Sequence, residues 1–290
     1  MLKKIFTVLI ESNVWVSSGL ALLVFPAAHM LSVPQDWRIP ILGFFVAMIV
    51  YTLDHRADVL NGEWQPSLLI ERYYRGKISI SVIIISILGV FTILSISPFI
   101  VTLSTFLLIL VSSAYIFYFI PKRSGLWQRI KDIRGIKAWF TTALCTLSSV
   151  GAPIIFYGKY ADLRINDLLM TLLLFYAMLI CNAQSYDIGD LDNDTNHNVH
   201  TLPGRIGIRK TIKILYLINF GVCIILIIAW LSRWSVPHPE MLLWILGTTA
   251  YLSFIPKNNE RFAYDFVVDG TLFLPTIAML IGHIFHNSAT

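Results

Sequence analysis

An all-α integral membrane protein is the fold class this chain predicts, on three observations. Mean hydropathy is +0.71, only 13% of the 290 residues are charged, and apolar stretches close to the length of a membrane crossing recur from end to end. A helix rising about 1.5 Å per residue needs about 20 residues to cross roughly 30 Å of hydrocarbon, so nine crossings use about 180 positions. The remainder suffices for loops. The expectation is one polytopic membrane domain over 1–290, with no soluble domain, low-complexity linker or charged tail.

The elements follow in order. Apolar runs lie at about 12–33, 39–53, 78–96, 98–120, 137–157, 165–184, 211–232, 241–256 and 264–286. Each is read as a helix, because in lipid every backbone N–H and C=O must be satisfied within its own segment. The opening "MLKKIFTVLIESNVWVSSGLALLVF" has basic residues ahead of an apolar stretch, but Glu11 and Asn13 interrupt it and no cleavage site follows, so it reads as a retained first span. Ser97-Pro98 separates the third run from the fourth, since one helix over 78–120 would be overlong. Cys145, Cys181 and Cys223 sit inside apolar runs at wide separations, which gives packing residues rather than a zinc or disulfide pattern.

Lys and Arg orient the spans. Assigned to alternate loops, eighteen of the 22 fall on one side, and only Arg38, Lys159, Arg164 and Arg233 on the other. Because cytoplasmic loops carry the excess, the expectation is an amino terminus inside and a carboxyl terminus outside, in a bacterial plasma membrane. The net charge of +5 then follows from topology, without a nucleic-acid partner.

That orientation puts two acidic segments in the same compartment: "YTLDHRADVLNGEWQP" after the second run and "SYDIGDLDNDTNHNVHTLPGRIG" after the sixth. They belong to loops at about 54–77 and 185–210. Asp54 and Asp58 are four apart, as are Asp190 and Asp194, so each pair shares a helix face wherever the helix continues beyond its span. Two opposed carboxylate pairs repel unless a cation lies between them, and Mg2+ favours oxygen ligands and bridges carboxylates to phosphates. Solvated loop charge is the plain reading of one such pair; two on one side favour a metal. A calcium loop is excluded because Thr195 stands where its turn glycine belongs and Thr201 where its bidentate Glu belongs. His197 and His200 lack further zinc ligands nearby in sequence and read as hydrated loop residues.

The second segment resembles the second signature of the UbiA superfamily of intramembrane prenyltransferases, D-x-x-D-x-x-x-D followed by T-L-P, a basic residue and Gly. Asp187, Asp190, Asp194, Thr201, Leu202, Pro203, Arg205 and Gly207 match, and Asn198 replaces a Gly. The first signature is degenerate: Asp54, Asp58 and Pro66 fit, but Val50 stands for the usual Asn and Gln65 for a basic residue. The resemblance covers nearly the whole chain. It implies nine helices around a central cavity open to lipid, with the aspartates at its mouth.

It further implies a Mg2+-dependent transfer of a prenyl group from a polyprenyl diphosphate to a lipophilic, aromatic or ring-bearing acceptor. Asp54, Asp58, Asp187, Asp190 and Asp194 are then catalytic, with Asp54, Asp58, Asp190 and Asp194 the metal ligands. Lys131, Arg134 and Lys137, at intervals of three, form a helical stripe able to face a diphosphate, or else are plain positive-inside charge; Arg205 is a further diphosphate candidate, with Arg56 and Arg72 behind it. Tyr51 is a candidate to shield a carbocation, from a set with Tyr73, Tyr74, Tyr115, Tyr118, Trp139 and Tyr186. Asp269, four after Asp265 and inside the last run, must face the cavity or a polar partner, as must Glu11 and Asn13. The alternatives are a UbiA-type terpene cyclase, because the first signature is altered, and a transporter or non-catalytic membrane protein. The lack of an obvious inverted repeat with broken helices weighs against the transporter.

Overall fold

The computed structural model describes residues 2–62, 68–117, 120–121, 127–130, 133, 135–158, 162–196, 199–255 and 261–288. Lys131, Arg134, Tyr118, Gln65, Pro66, His197 and Asn198 lie outside the described residues.

Helices occupy all nine apolar runs. They are α2 (Val14–Leu22) with α3 (Val24–Met30), α4 (Arg38–Leu60), α6 (Lys77–Ser95), α7 (Phe99–Ile116), α8 (Lys137–Tyr157), α9 (Ile165–Gly189), α12 (Ile208–Leu231), α13 (Leu242–Phe254), and α14 (Arg261–Gly270) continuing through a 3-10 turn into α15 (Leu274–Ser288). Among the described residues seven helices are long and apolar enough to cross a membrane, while 14–30 and 242–254 are shorter. Four short helices flank the spans: α1 (Leu2–Glu11), α5 (Leu68–Arg75), α10 (Leu191–Asn196) and α11 (Leu202–Ile206). A two-residue hairpin, β1 (Ile120–Pro121) with β2 (Trp127–Gln128), precedes α8.

The first span is interrupted twice, and each interruption is repaired from elsewhere. Asn13 adopts φ 67 between α1 and α2, a left-handed conformation that Asn tolerates better than most residues. Its Nδ2 donates to the Tyr74 hydroxyl at 2.9 Å, and that hydroxyl donates to Glu11 O at 2.8 Å. Farther on, Pro26 lacks the N–H that would have bonded Leu22 O, and Thr276 Oγ1 of α15 donates to that carbonyl at 3.0 Å. Sequence reading alone anticipated neither partner.

α9 is the axis of the bundle. Leu174, Phe175 and Cys181 are fully buried, and Ala177, Met178, Leu179 and Ile180 nearly so, consistent with a helix apolar on all sides. It packs on α8, α12, α13 and α14. α6 and α7 lie at the periphery, turning Ile84, Leu88, Phe91, Phe106 and Leu110 outward, where lipid covers them at no hydrophobic cost. α4 packs on α2 and α6, so the second and sixth runs stand on opposite sides of an interior space reached also by α2 and α8.

Candidate functional site

One cavity of about 280 Å³ gathers both acidic segments. α4 contributes Tyr51, Asp54, His55 and Asp58; α9 and its continuation contribute Asn182, Tyr186, Asp187, Asp190 and Asp194; α14 contributes Asp265 and Asp269. Asp190 ends α9, and the Asp194 amide donates to Asp190 O at 2.8 Å, so the chain turns helically from one carboxylate to the next. That periodicity keeps Asp187, Asp190 and Asp194 on one face, while Asp192 is exposed. Glu11 and Asn13 line the same space from the break in the first span.

The loop after these aspartates is clamped. Val199 N donates to Asp194 O at 2.8 Å, and Gly135 N donates to His200 O at 2.9 Å, which ties the T-L-P segment to the chain ahead of α8. Thr201 stands at the N-terminal boundary of α11 with an extended backbone and Pro203 sits in its first turn, a place that needs no proline N–H.

Among the described residues, eight carboxylates line this cavity with only two permanently cationic side chains, Lys137 and Arg129. Lys137, the first residue of α8, holds Nζ 3.4 Å from Asp187 Oδ1 and 3.2 Å from Asp194 Oδ1. Arg129 Nη1 donates to Asp58 Oδ1 at 3.1 Å. Each cation answers a different acidic segment. Two monovalent charges cannot neutralise eight acids, and desolvated like charges repel strongly. The donor set, carboxylate oxygens around one space, is the set Mg2+ prefers.

The expected basic stripe is not one continuous helix. Gly135 has φ 73, a conformation open to glycine and costly for the side chains a helical stripe would carry there, and α8 begins only at Lys137. Lys137 alone of the three is a described cavity residue. Arg205 is exposed beside Gly135, whose added Cβ would lie 3.7 Å from Arg205 Nη1, and it does not line the cavity. Arg56 is engaged elsewhere: its Nη1 donates to Tyr74 O, to Gly76 O at 3.2 Å and to Ser79 Oγ at 2.9 Å, fastening α4 to the α5–α6 junction. Arg129 was not singled out in the sequence, where it is one of many loop cations and no spacing links it to Asp58.

Of the aromatic candidates, Tyr51, Tyr115 and Tyr186 line the cavity. Tyr74 is completely buried in α5, where burial holds its phenol well above the usual range, so it stays a neutral hydrogen-bonding group. Trp139 is exposed and stacks with Tyr176. Asp269 is 4% exposed and its Oδ1 has no hydrogen-bond partner; Tyr186 lines the same cavity.

A second cavity, about 420 Å³ and mostly apolar, adjoins the first. Leu42, Val46, Ala47, Val101, Leu108 and Phe156 are among its walls, between α4, α7 and α8. Leu20, Tyr51, Asp54, Tyr115, Thr141 and Cys145 border both spaces, so a charged chamber opens onto a greasy one across two tyrosines. Val50, where the resembling signature carries Asn, faces the apolar side.

No family model and no curated protein matches the chain. Solved structures do match. An apo UbiA homolog from Aeropyrum pernix K1 aligns with TM-score 0.68 at 10% identity, over 92% of this chain and 98% of that one. A UbiA homolog from Archaeoglobus fulgidus bound to GPP and Mg2+ aligns with TM-score 0.58 at 11% identity, over 94% and 98%. A digeranylgeranylglyceryl phosphate synthase aligns with TM-score 0.52 at 10% identity, over 97% and 99%. At this identity the likeness is one of architecture, and the chain has the fold of the UbiA homologs.

Proposed function

We propose that the protein is a Mg2+-dependent intramembrane prenyltransferase, which moves a prenyl group from a polyprenyl diphosphate to a lipophilic, ring-bearing acceptor. The observation that carries this reading is the junction of the two cavities: eight carboxylates at one end and an apolar pocket at the other, matching an amphiphile with an anionic head and a hydrocarbon tail. The UbiA-homolog structure bound to GPP and Mg2+ supports it. On the distribution of Lys and Arg, the aspartate end faces the cytoplasm.

Asp54, Asp58, Asp190 and Asp194 would hold Mg2+, which would supply charge neutralisation for the departing diphosphate. Asp187, 2% exposed, keeps Lys137 beside the site rather than binding metal itself. Lys137 and Arg129, now paired with carboxylates, are placed to exchange those partners for phosphate oxygens as the head group arrives. The allylic C–O bond breaks with its electron pair going to the diphosphate oxygen. Tyr51 and Tyr115 border the passage to the tail pocket, where their ring faces stabilise the cation and exclude water. The acceptor then bonds the cationic carbon and gives up a proton to the released diphosphate.

The test uses purified protein in lipid nanodiscs with labelled prenyl diphosphates of increasing length, a pooled lipid extract, and Mg2+ or EDTA. Mg2+-dependent consumption with a new prenylated lipid is expected, abolished in Asp54→Ala and Asp190→Ala. Cyclised hydrocarbon without any acceptor would replace this reading by a cyclase. No consumption of any diphosphate would overturn it in favour of a non-catalytic membrane protein.

A further inference from the structure

A second cluster of ligating side chains lies at the end of the bundle opposite the aspartates. His29 is in the last turn of α3, His238 and Glu240 sit at the 3-10 turn Pro239–Met241 that leads into α13, and His283 is on α15. His29 Nε2 lies 2.9 Å from Glu240 Oε1, and His238 Nδ1 3.2 Å from the same oxygen. One ligand atom from each of His29, His238 and Glu240 falls within 4.8 Å of the others. The His29 ring stands 4.8 Å from that of His238 and 4.9 Å from that of His283.

Direct hydrogen bonding accounts for only part of this arrangement. His238 is 7% exposed and presents Nδ1 to the shared carboxylate oxygen, while its Nε2, on the other side of the ring, is buried without a hydrogen-bond partner. The carboxylate is seated for a purpose of position: Gly282 of α15 leaves room for Glu240 to lie against the helix, since a Cβ there would come within 3.1 Å of Glu240 Cγ. Two imidazoles and a carboxylate form the donor set that zinc accepts, whereas Mg2+ prefers oxygen alone. In a tetrahedral zinc site with bonds of about 2.0–2.1 Å, neighbouring donors stand about 3.3 Å apart. The His29–Glu240 and His238–Glu240 separations, 2.9 and 3.2 Å, lie close to that spacing.

We propose that His29, His238 and Glu240 bind one borderline divalent transition-metal ion of the zinc class, with His283 or water as fourth donor. The ion would cross-link α3, the start of α13 and, through His283, α15, three segments that sequence places far apart. Its role is structural: it locks the end of the bundle opposite the aspartates. The site is separate from the aspartate cavity in place and in donor chemistry, so its existence does not depend on the proposed reaction.

The test takes the full chain in detergent, strips metal with a chelator, and titrates Zn2+ or Co2+. One Zn2+ per chain retained through desalting is expected, with a visible tetrahedral Co2+ spectrum that Zn2+ displaces and a raised unfolding midpoint. His29→Gln and Glu240→Gln should weaken binding at least about tenfold, while Asp54→Asn with Asp190→Asn should leave the Co2+ spectrum intact. The wild-type protein alone decides the matter if the variants do not fold: no retained metal, or Co2+ without tetrahedral absorption, overturns the proposal. A Co2+ spectrum unchanged in both the His29 and Glu240 variants, or lost in the aspartate variant, overturns it equally.

Discussion

Arg129 donates to Asp58 at 3.1 Å across 71 positions of sequence. It is 5% exposed, so the ion pair is sheltered on the guanidinium side and the arginine is committed to the cavity rather than to solvent. A buried cation kept next to a candidate metal ligand has one evident use when a diphosphate arrives. Arg129→Met should lower kcat/KM for diphosphate consumption by about 10²-fold or more, the scale on which one preorganised donor to developing negative charge acts. Arg129→Lys should restore part of it, as a point charge without the bidentate fork. Steady-state kinetics with labelled substrate checks both; unchanged kinetics in Arg129→Met would remove Arg129 from the reaction.

Lys137 bridges Asp187 and Asp194, which are 2% and 4% exposed. Replacing it by Met strands two desolvated carboxylates, and losing one partner of a buried ion pair costs about 3–5 kcal/mol. The unfolding midpoint of Lys137→Met should fall without divalent cation and recover in part with Mg2+, which can neutralise Asp194 in place of the lost ammonium. Differential scanning fluorimetry with Mg2+ and EDTA measures this directly, and equal losses in both would deny that metal and Lys137 compete for the same carboxylates.

Tyr74 joins three segments through one hydroxyl, with Asn13 at 2.9 Å, Glu11 O at 2.8 Å and His55 Nδ1 at 3.2 Å. Tyr74→Phe leaves the buried Asn13 amide unpaired, at a cost of about 1–3 kcal/mol. Thermal unfolding should register that loss. Turnover should fall as well, because the break in the first span positions Glu11 and Asn13 on the cavity wall.

Ala47 lines the apolar cavity and is not fully buried, so a larger side chain there takes space from the cavity. Ala47→Phe should move the preference toward shorter prenyl diphosphates while leaving Mg2+ dependence as it was. Relative rates across a length series test this, and an unaltered preference would place the hydrocarbon tail somewhere else.

Much of the architecture was legible because lipid imposes a local rule. Each crossing must satisfy its own backbone, so a run such as 165–184 declares itself a helix without reference to its neighbours. The acidic periodicity was legible for the same reason, since Asp54 with Asp58, and Asp190 with Asp194, share a face through helical geometry alone. A break ahead of Lys137 was not legible, because Gly135 takes φ 73 there and a single glycine inside an otherwise regular pattern does not announce its φ. Arg56 and Arg205 look as suitable in sequence as Arg129, yet only Arg129 points inward among these three.

The sequence by itself determined the membrane class, the position of the helices and the two aspartate groups, all of which follow from composition and from spacing within one helix. Only the tertiary structure decided that those groups bound one cavity, that Arg129 and Lys137 are the cations within it, that an apolar pocket joins it across Tyr51 and Tyr115, and that His29, His238 and Glu240 converge at the far end. The physical reason is that such contacts depend on how helices distant in sequence pack against one another. That packing sums many weak, non-directional contacts which no short stretch of residues encodes.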